Sequence, residues 1–303
     1  MTTTAPRPAG TATGGNPLTG LIRTMRPRQW VKNVLVLAAP FVGGVIGEPD
    51  VLVAAGIAFI TFSLAASGVY LLNDVQDVHA DRAHPTKCRR PIAAGVVAPR
   101  LALAVAVLLF AAAIGLSLLA SIDLAAVVAV YIGVQIAYCL WLKHQPVMDI
   151  AIVASGFLMR AIAGGAAAGI ALSQWFLLVT AFGSLFMVSG KRYAEIRLAE
   201  RTGAKIRKSL ERYTATYLRF VWTLSATIVI MTYGLWAFQL SEGGSRWPVI
   251  SMVPFVLAVL RYAVDVDGGN GGEPEEIALG DRVLQVLGAA LVLTLSAAVY
   301  LPG

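Results

Sequence analysis

The chain has too few charged residues for most classes of soluble protein. Charged residues make up 14% of its 303 residues, against about 25% in an ordinary soluble domain. Hydrophobic residues reach 57%, and so few charges could not cover that much apolar surface in water. The composition excludes a disordered chain, a coiled coil and a soluble nucleic-acid-binding domain. It predicts an integral membrane protein whose partner is the lipid bilayer.

Cysteine and histidine are also scarce. Two cysteines, Cys88 and Cys139, give no disulfide framework or metal cluster. Three histidines offer no evident histidine–carboxylate pair for acid–base chemistry. The net charge of +7 is attributed to the cytoplasmic loops of a membrane protein, and no nucleic-acid partner is expected.

Long apolar runs fill most of the remaining sequence. A helix needs about 20 mostly apolar residues to cross the bilayer core, and an open sheet edge cannot lie in lipid. We therefore predict an all-α bundle of nine transmembrane helices, formed by residues 21–303 as a single catalytic domain after a flexible tail at 1–20. The predicted spans are 30–47, 51–72, 101–120, 124–142, 147–170, 174–190, 217–240, 247–264 and 283–301.

The basic residues predict the orientation of this bundle. If successive loops alternate sides, all but two of the 24 Lys and Arg residues lie on the side of the amino terminus. The exceptions are Arg160, inside a span, and Arg246, on the opposite face. The positive-inside rule places the amino terminus and the long loops in the cytoplasm. We expect a multi-pass plasma-membrane protein whose site faces the cytoplasm.

An acidic motif ends the second predicted span. Asn73, Asp77 and Asp81 are spaced i, i+4, i+8, so a helix projects them from nearly one face, and Asp74 lies beside Asp77. Carboxylates this close repel each other, and a hard divalent cation removes the conflict. Oxygen ligands suit Mg²⁺, which binds through a few carboxylates plus substrate phosphates. The alternative is a solvated acidic helix end paired with nearby Arg and Lys, which this spacing disfavours.

Basic residues follow the acidic motif directly. They are Arg82, Lys87, Arg89 and Arg90. Placed around a metal, the carboxylates and these cations would hold a diphosphate from two sides. The positive-inside rule alone also requires basic residues in this loop. That rule accounts for the charge, but it does not account for its position next to the carboxylates.

The sequence N-D-x-x-D-x-x-x-D at 73–81 resembles the first signature of the UbiA-type intramembrane prenyltransferase superfamily. Nine helices and a cytoplasmic site also match that family. The resemblance implies a UbiA-type bundle. It also implies a catalytic site in which Asn73, Asp77 and Asp81, with Asp74 close by, hold Mg²⁺ on a diphosphate.

A second aspartate-rich motif, found in most members of the superfamily, is missing. The loop after the sixth predicted helix contains Lys191 and Arg192 and has no aspartate. These two cations are expected to bind phosphate oxygens directly. A metal-centred site and a basic site together suggest two phosphorylated substrates.

The replacement of the second aspartate-rich motif by basic residues resembles one branch of the superfamily. The same branch is resembled by four stretches of the sequence, 26–33, 84–92, 149–164 and 190–195. That branch transfers 5-phosphoribose from phosphoribosyl diphosphate to decaprenyl phosphate, releasing diphosphate, in actinobacterial cell-wall arabinan synthesis. The resemblance implies the same two substrates here, with Mg²⁺ as cofactor.

Two rival functions remain open. One is transfer of a polyprenyl group from its diphosphate to an aromatic acceptor, and that function predicts the second carboxylate pair that is missing here. The other is a membrane carrier, in which internal repeats are common; the sequence shows none that is convincing.

Several residues outside the acidic motif are predicted to contact substrate phosphates. An arginine inside a span is a candidate functional residue because its burial is costly. Lys32 would either reach lipid headgroups or bind phosphate, and Tyr70 would either touch the sugar or belong to an aromatic belt. The full predicted set is Lys32, Tyr70, Lys87, Arg89, Arg90, Lys143, Arg160, Lys191 and Arg192.

Small residues follow Arg160 at intervals that predict close helix packing. Gly164 and Ala168, like Gly165 and Gly169, have small-xxx-small spacing. The pattern predicts a close contact either within the bundle or between the subunits of a homo-oligomer.

Overall fold

A computed structural model describes residues 16–203, 210–268 and 274–301. These ranges contain helices and turns and no strands. The α-helices are α1 (Pro17–Met25), α2 (Ala38–Val42), α3 (Pro49–Gln76), α4 (Val78–Arg82), α5 (Pro99–Ser117), α6 (Ile122–Leu140), α7 (Met148–Ala168), α8 (Gln174–Thr202), α9 (Ala215–Ser241), α10 (Trp247–Asp267), α11 (Pro274–Gly280) and α12 (Arg282–Tyr300). Shorter 3-10 segments cover Pro27–Leu37, Lys87–Arg89 and Leu142–His144.

Within those ranges, seven helices are long and apolar enough to cross a membrane: α3, α5, α6, α7, α9, α10 and α12. They confirm the all-helical membrane class and seven of the nine predicted spans. The predicted span 174–190 lies in α8, whose 29 residues run on into the basic stretch after Ser189. The count of nine and the cytoplasmic amino terminus stay predictions.

The predicted span at 30–47 is not one continuous helix. Its residues form a 3-10 segment, the five-residue helix α2 and a turn. The 3-10 segment lies so close to α7 that a Cβ on Gly164 would stand 1.8 Å from the backbone oxygen of Val36. At Gly164, the close contact predicted by the small-residue spacing is therefore made within the bundle.

The amino-terminal helix α1 begins within the predicted tail 1–20, whose residues 1–15 lie outside the described part. Asn16 caps this helix by accepting the Leu18 N–H at 2.9 Å. Leu18 and Ile22 are exposed, whereas Leu21 and Thr24 are buried. An amphipathic helix with exposed apolar side chains is suited to the membrane interface.

The bundle packs around two main apolar clusters. One joins α3, α6 and α7 around Phe62 and Tyr131, and the other joins α8, α9 and α10 around Tyr193 and Trp222. The carboxyl ends of α3 and α6 and the amino end of α7 meet at one end of the bundle, where a contact between Lys143 and Asp77 joins the loop after α6 to the end of α3. The acidic motif therefore lies at a junction of several helices.

Candidate functional site

The acidic motif spans a break between two helices. α3 ends at Gln76, and α4 begins at Val78. The Asp77 N–H still donates to the Asn73 carbonyl at 2.9 Å, and the Asp81 N–H donates to the Asp77 carbonyl at 2.8 Å. Helical spacing therefore continues across the break, and it keeps Asn73, Asp77 and Asp81 on adjacent turns as predicted.

Two of the carboxylates are buried against arginines. Asp74 and Asp81 are 2% and 3% exposed. Arg26 approaches the Asp74 carboxylate at 2.7 Å, and Arg90 lies 3.2 Å from Asp74 and 2.7 Å from Asp81. Arg90 thus bridges two acids that would otherwise repel each other. The pairing also offsets the free energy needed to bury the charges.

Asp77 is the accessible carboxylate, with 32% of its side chain exposed. One of its oxygens contacts Lys143 Nζ at 2.5 Å. The other accepts the Asn73 side-chain N–H at 3.2 Å. Both partners are exchangeable polar groups at an open edge, so Asp77 is the carboxylate best placed to change partner.

A cavity of about 280 Å³ opens beside these acids. Most of its lining is basic, and the one acid in it, Asp74, is already paired with Arg26 and Arg90. Such a cavity is suited to an anion with several oxygens. Its lining residues are Arg23, Thr24, Arg26, Asp74, Thr86, Lys87, Arg89, Arg90 and Pro91.

The donor set at this site fits Mg²⁺ only in part. In the part of the chain that the structure describes, no three acidic, histidine or cysteine side chains are gathered as a metal would need. Mg²⁺, however, is commonly held by one or two carboxylates together with water and substrate phosphates. The partly exposed Asp77 and the neighbouring Asn73 offer oxygens for such a site, and the Asp81 carboxylate lies one turn further on.

A second charged cluster joins α7, α8 and the segment before α9. Arg192 is buried, and its guanidinium lies 3.7 Å from the Asp149 carboxylate. The Tyr213 hydroxyl donates to the other oxygen of Asp149. Arg192 also interacts with Tyr138 near the end of α6, while its neighbour Lys191 is half-buried. The predicted basic site therefore contains a carboxylate from another helix.

Three other predicted phosphate ligands occupy different surroundings. Arg160 donates to Asn33 Oδ1 at 2.7 Å and to the Gly156 carbonyl at 2.6 Å, so it ties the 3-10 segment to α7. Lys32 Nζ lies 6.0 Å from the centroid of the Phe157 ring. The Tyr70 ring lies under the Arg26 guanidinium, 4.7 Å from ring centroid to Cζ.

Sequence reasoning missed three residues of these clusters. Arg26 lies in the stretch 26–33 but is not among the predicted site residues, although it pairs with Asp74. Asp149 and Tyr213 lie 64 positions apart and yet share a hydrogen bond. The basic pattern at 26–32 offered a signal for Arg26, whereas nothing in the sequence links Asp149 to Tyr213.

Comparison with known proteins identifies the family. Residues 34–299 match the UbiA prenyltransferase family. The chain belongs to this family. The matched region includes the acidic motif, six of the seven candidate membrane spans in full and all but the last residue of the seventh.

Two curated members of the family are close in sequence. A protein of Mycolicibacterium smegmatis named decaprenyl-phosphate phosphoribosyltransferase is 60% identical over 298 residues, which cover 94% of this chain and 94% of the relative. A protein of Corynebacterium glutamicum with the same name is 60% identical over 289 residues, covering 93% of this chain and 87% of the relative.

Solved structures share the fold at low sequence identity. A UbiA homolog from Archaeoglobus fulgidus, bound to GPP and Mg²⁺, superposes with a TM-score of 0.69 at 15% identity over 92% of this chain and 98% of that one. A digeranylgeranylglyceryl phosphate synthase structure gives a TM-score of 0.64 at 15% identity, covering 93% and 98%. These likenesses confirm the UbiA-type helical bundle.

Proposed function

We propose that this protein transfers 5-phosphoribosyl from phosphoribosyl diphosphate to decaprenyl phosphate and releases diphosphate. Identity of 60% across nearly the whole of two relatives named for this reaction carries the proposal. The site supports it because a basic cavity opens beside paired carboxylates at one end of a membrane bundle. The lipid product would serve cell-wall arabinan synthesis.

The carboxylates of the motif hold the metal in this proposal. Asn73, Asp77 and Asp81 would supply the oxygen ligands, and Asp74 holds Arg26 and Arg90 in place. Bound Mg²⁺ would supply charge neutralisation for the departing diphosphate. Lys143 exchanges the Asp77 carboxylate for a substrate phosphate when the donor binds.

The basic side chains hold the phosphate groups. Lys87, Arg89 and Arg90 line the cavity and bind phosphate oxygens. Lys191 and Arg192 bind a further phosphate on the α8 side. The buried Arg192 Nη1 has no hydrogen-bond partner among the described residues, and a phosphate oxygen would satisfy it.

The reaction forms one bond and breaks one bond at ribose C1. An oxygen of the lipid phosphate attacks C1 as the bond to diphosphate breaks, and attack from the opposite face inverts the α donor to a β product. A phosphate monoester has its second pKa near 6, so it is largely ionised at pH 7. No general base is then required, in accord with the scarcity of histidine in this chain.

A direct assay tests the reaction. Purified protein in detergent receives labelled phosphoribosyl diphosphate, decaprenyl phosphate and Mg²⁺, and lipid-linked phosphoribose should appear. Formation of prenylated product from a polyprenyl diphosphate and an aromatic acid, with no lipid-linked phosphoribose, would replace this proposal with the rival transfer reaction. Uptake of substrate into proteoliposomes without chemistry would favour a carrier.

We also propose that the protein lies in the plasma membrane with its site on the cytoplasmic side. Cys88 lies in the loop beside the basic cavity and is partly exposed, whereas Cys139 is buried. A membrane-impermeant maleimide should label Cys88 in inverted vesicles and leave it unlabelled in sealed right-side-out vesicles. The opposite pattern would reverse the orientation. Assembly as a homo-oligomer stays a prediction.

A further inference from the structure

The loop that carries Lys143 has a strained backbone. This loop joins α6 to α7 and ends at Val147, whose φ is 72° and ψ is −49°. A positive φ is strongly disfavoured for a β-branched side chain and persists only where neighbouring groups impose it. Among the described residues, Arg26 is the only other non-glycine with a positive φ. Arg26 contacts Asp74 of the acidic motif, and Val147 lies four positions after Lys143, which contacts Asp77.

Two consecutive side chains from the segment before α9 hold this loop in place. The Tyr213 hydroxyl accepts the Val147 N–H at 2.5 Å and donates to the Asp149 carboxylate. Arg212 Nη1 lies 3.5 Å from the His144 carbonyl oxygen, to which it donates. The loop is thus fixed at both sides of the strained residue by a part of the chain more than sixty positions away.

The Tyr213 hydroxyl is well suited to this role. Its residue is only 7% exposed, and burial raises the pKa of Tyr213 well above its ordinary value. The hydroxyl therefore stays protonated and can donate to Asp149 while it accepts from Val147. Without the hydroxyl, the Val147 N–H would lose its partner and the strained backbone would lose one of its restraints.

We propose that Tyr213 is a positioning residue that acts through Lys143. By fixing Val147, Tyr213 sets the path of the loop and so keeps Lys143 Nζ against Asp77. The inference rests on the proposed function, in which Lys143 passes from Asp77 to a donor phosphate. It assigns a role in donor binding to a side chain whose contacts are with the loop and with Asp149.

A double-mutant cycle tests the coupling. Tyr213→Phe should weaken donor affinity, measured by calorimetry with phosphoribosyl diphosphate and Mg²⁺, by roughly 10-fold. In a Lys143→Ala background the same substitution should have almost no further effect, because the group it positions is gone. Equal losses in both backgrounds would overturn the proposal.

Tyr217→Phe is the matched control. Tyr217 stacks on Tyr213 with ring centroids 5.8 Å apart and is 38% exposed. Removing its hydroxyl should leave donor affinity within about 2-fold of the wild type. A loss equal to that of Tyr213→Phe would show that any change in this aromatic pair disturbs the site.

A substrate-independent measurement separates this inference from the proposed function. Trypsin cleaves after lysine, so release of the loop should speed cleavage after Lys143 several-fold in Tyr213→Phe relative to Tyr217→Phe. Unchanged cleavage would contradict the inference even if the transfer reaction is confirmed. Faster cleavage would support it even if the protein uses another donor.

A milder variant covers the case in which Tyr213→Phe does not fold. Arg212→Gln removes the contact with the His144 carbonyl from an exposed side chain. It should speed cleavage after Lys143 by about 2-fold, as expected for one weak restraint. If Tyr213→Phe does not fold and Arg212→Gln leaves the cleavage rate unchanged, the inference fails.

Discussion

The two carboxylate clusters at the same end of the bundle use charge in different ways. At the acidic motif, Asp77 lies at an open edge, and its partners Lys143 and Asn73 are polar groups that can exchange. Between α7 and α8, Asp149 is 1% exposed and is enclosed by Tyr213 and Arg192. The first arrangement leaves a carboxylate available to a ligand, whereas the second fixes the positions of three elements.

The physical reason for this difference is access to solvent. A partly exposed carboxylate can lose a partner and regain hydration, so exchange is easy. A buried carboxylate cannot do so, and removal of one partner leaves an uncompensated charge in a medium of low polarity. Substitution of Asp77 should therefore lower activity with little loss of stability, whereas substitution of Asp149 should lower stability.

The largest effect is expected at the open cluster. Asp77→Asn removes the charge that would hold Mg²⁺ and should lower turnover by about 10³-fold or more. The free energy of unfolding should change by less than about 1 kcal/mol, because the side chain is partly exposed. Measurement of turnover together with thermal unfolding in detergent checks both expectations.

Asp50→Asn is the control on the same helix. Asp50 is exposed in the first turn of α3, at the end of that helix away from the motif. Its substitution should leave turnover unchanged. Retained activity in Asp77→Asn, with the control also active, would remove Asp77 from the metal site.

Substitution in the buried cluster around Asp149 should lower the stability of the protein. Asp149→Asn keeps an acceptor for Tyr213 but leaves Arg192 without its counter-charge, and it should lower the free energy of unfolding by about 3 kcal/mol. Thermal or denaturant unfolding in detergent measures the change. Glu200→Gln breaks the exposed Arg197–Glu200 pair and should cost less than about 1 kcal/mol. Equal effects of the two substitutions would contradict the distinction between buried and exposed pairs.

An uncharged contact inside the bundle extends the comparison. Gly164→Ala places a methyl group 1.8 Å from the Val36 backbone oxygen, and it should destabilise the protein by about 2–3 kcal/mol because backbone must move. Gly133→Ala meets no atom within 4 Å and should leave stability equal or slightly higher. Thermal unfolding of both variants in the same detergent measures the two changes in stability. A stable Gly164→Ala would show that the 3-10 segment is free to shift.

The smallest effect is expected at a partly exposed pair that links α10 to the start of α12. The Arg261 side chain donates to Asp281, and this hydrogen bond holds the pKa of Asp281 below its usual range. A lowered pKa contributes stability that is present above the usual value of about 3.9 and is lost as the pH falls through the folded value.

Asp281→Asn isolates this contribution, because asparagine still caps the Val283 N–H at the start of α12. Wild type should unfold at a slightly higher temperature than the variant at pH 6, and the difference should shrink below about pH 4. A difference independent of pH between 6 and 3 would assign it to packing rather than to charge.

The sequence supported the membrane class and the acidic motif because both depend on local pattern. Seven apolar runs form the expected helices, since a span is recognised by its own length and composition. The i, i+4, i+8 spacing survived the break at Asp77, because backbone hydrogen bonds bridge it. The span at 30–47 was predicted wrongly as one helix. Its shape depends on the approach of Gly164 and on Arg160, which holds Asn33 from a distant helix.

Composition and periodicity by themselves determined that this chain is an integral membrane protein, that it folds as helices and that it carries an acidic motif next to basic residues. Those properties follow from the solvation of each segment and from helical geometry. Tertiary structure decided which cation meets which acid: Arg90 bridges Asp74 and Asp81, Lys143 meets Asp77, and Asp149 is enclosed with Tyr213. Such pairings depend on how distant helices pack, which no local pattern encodes.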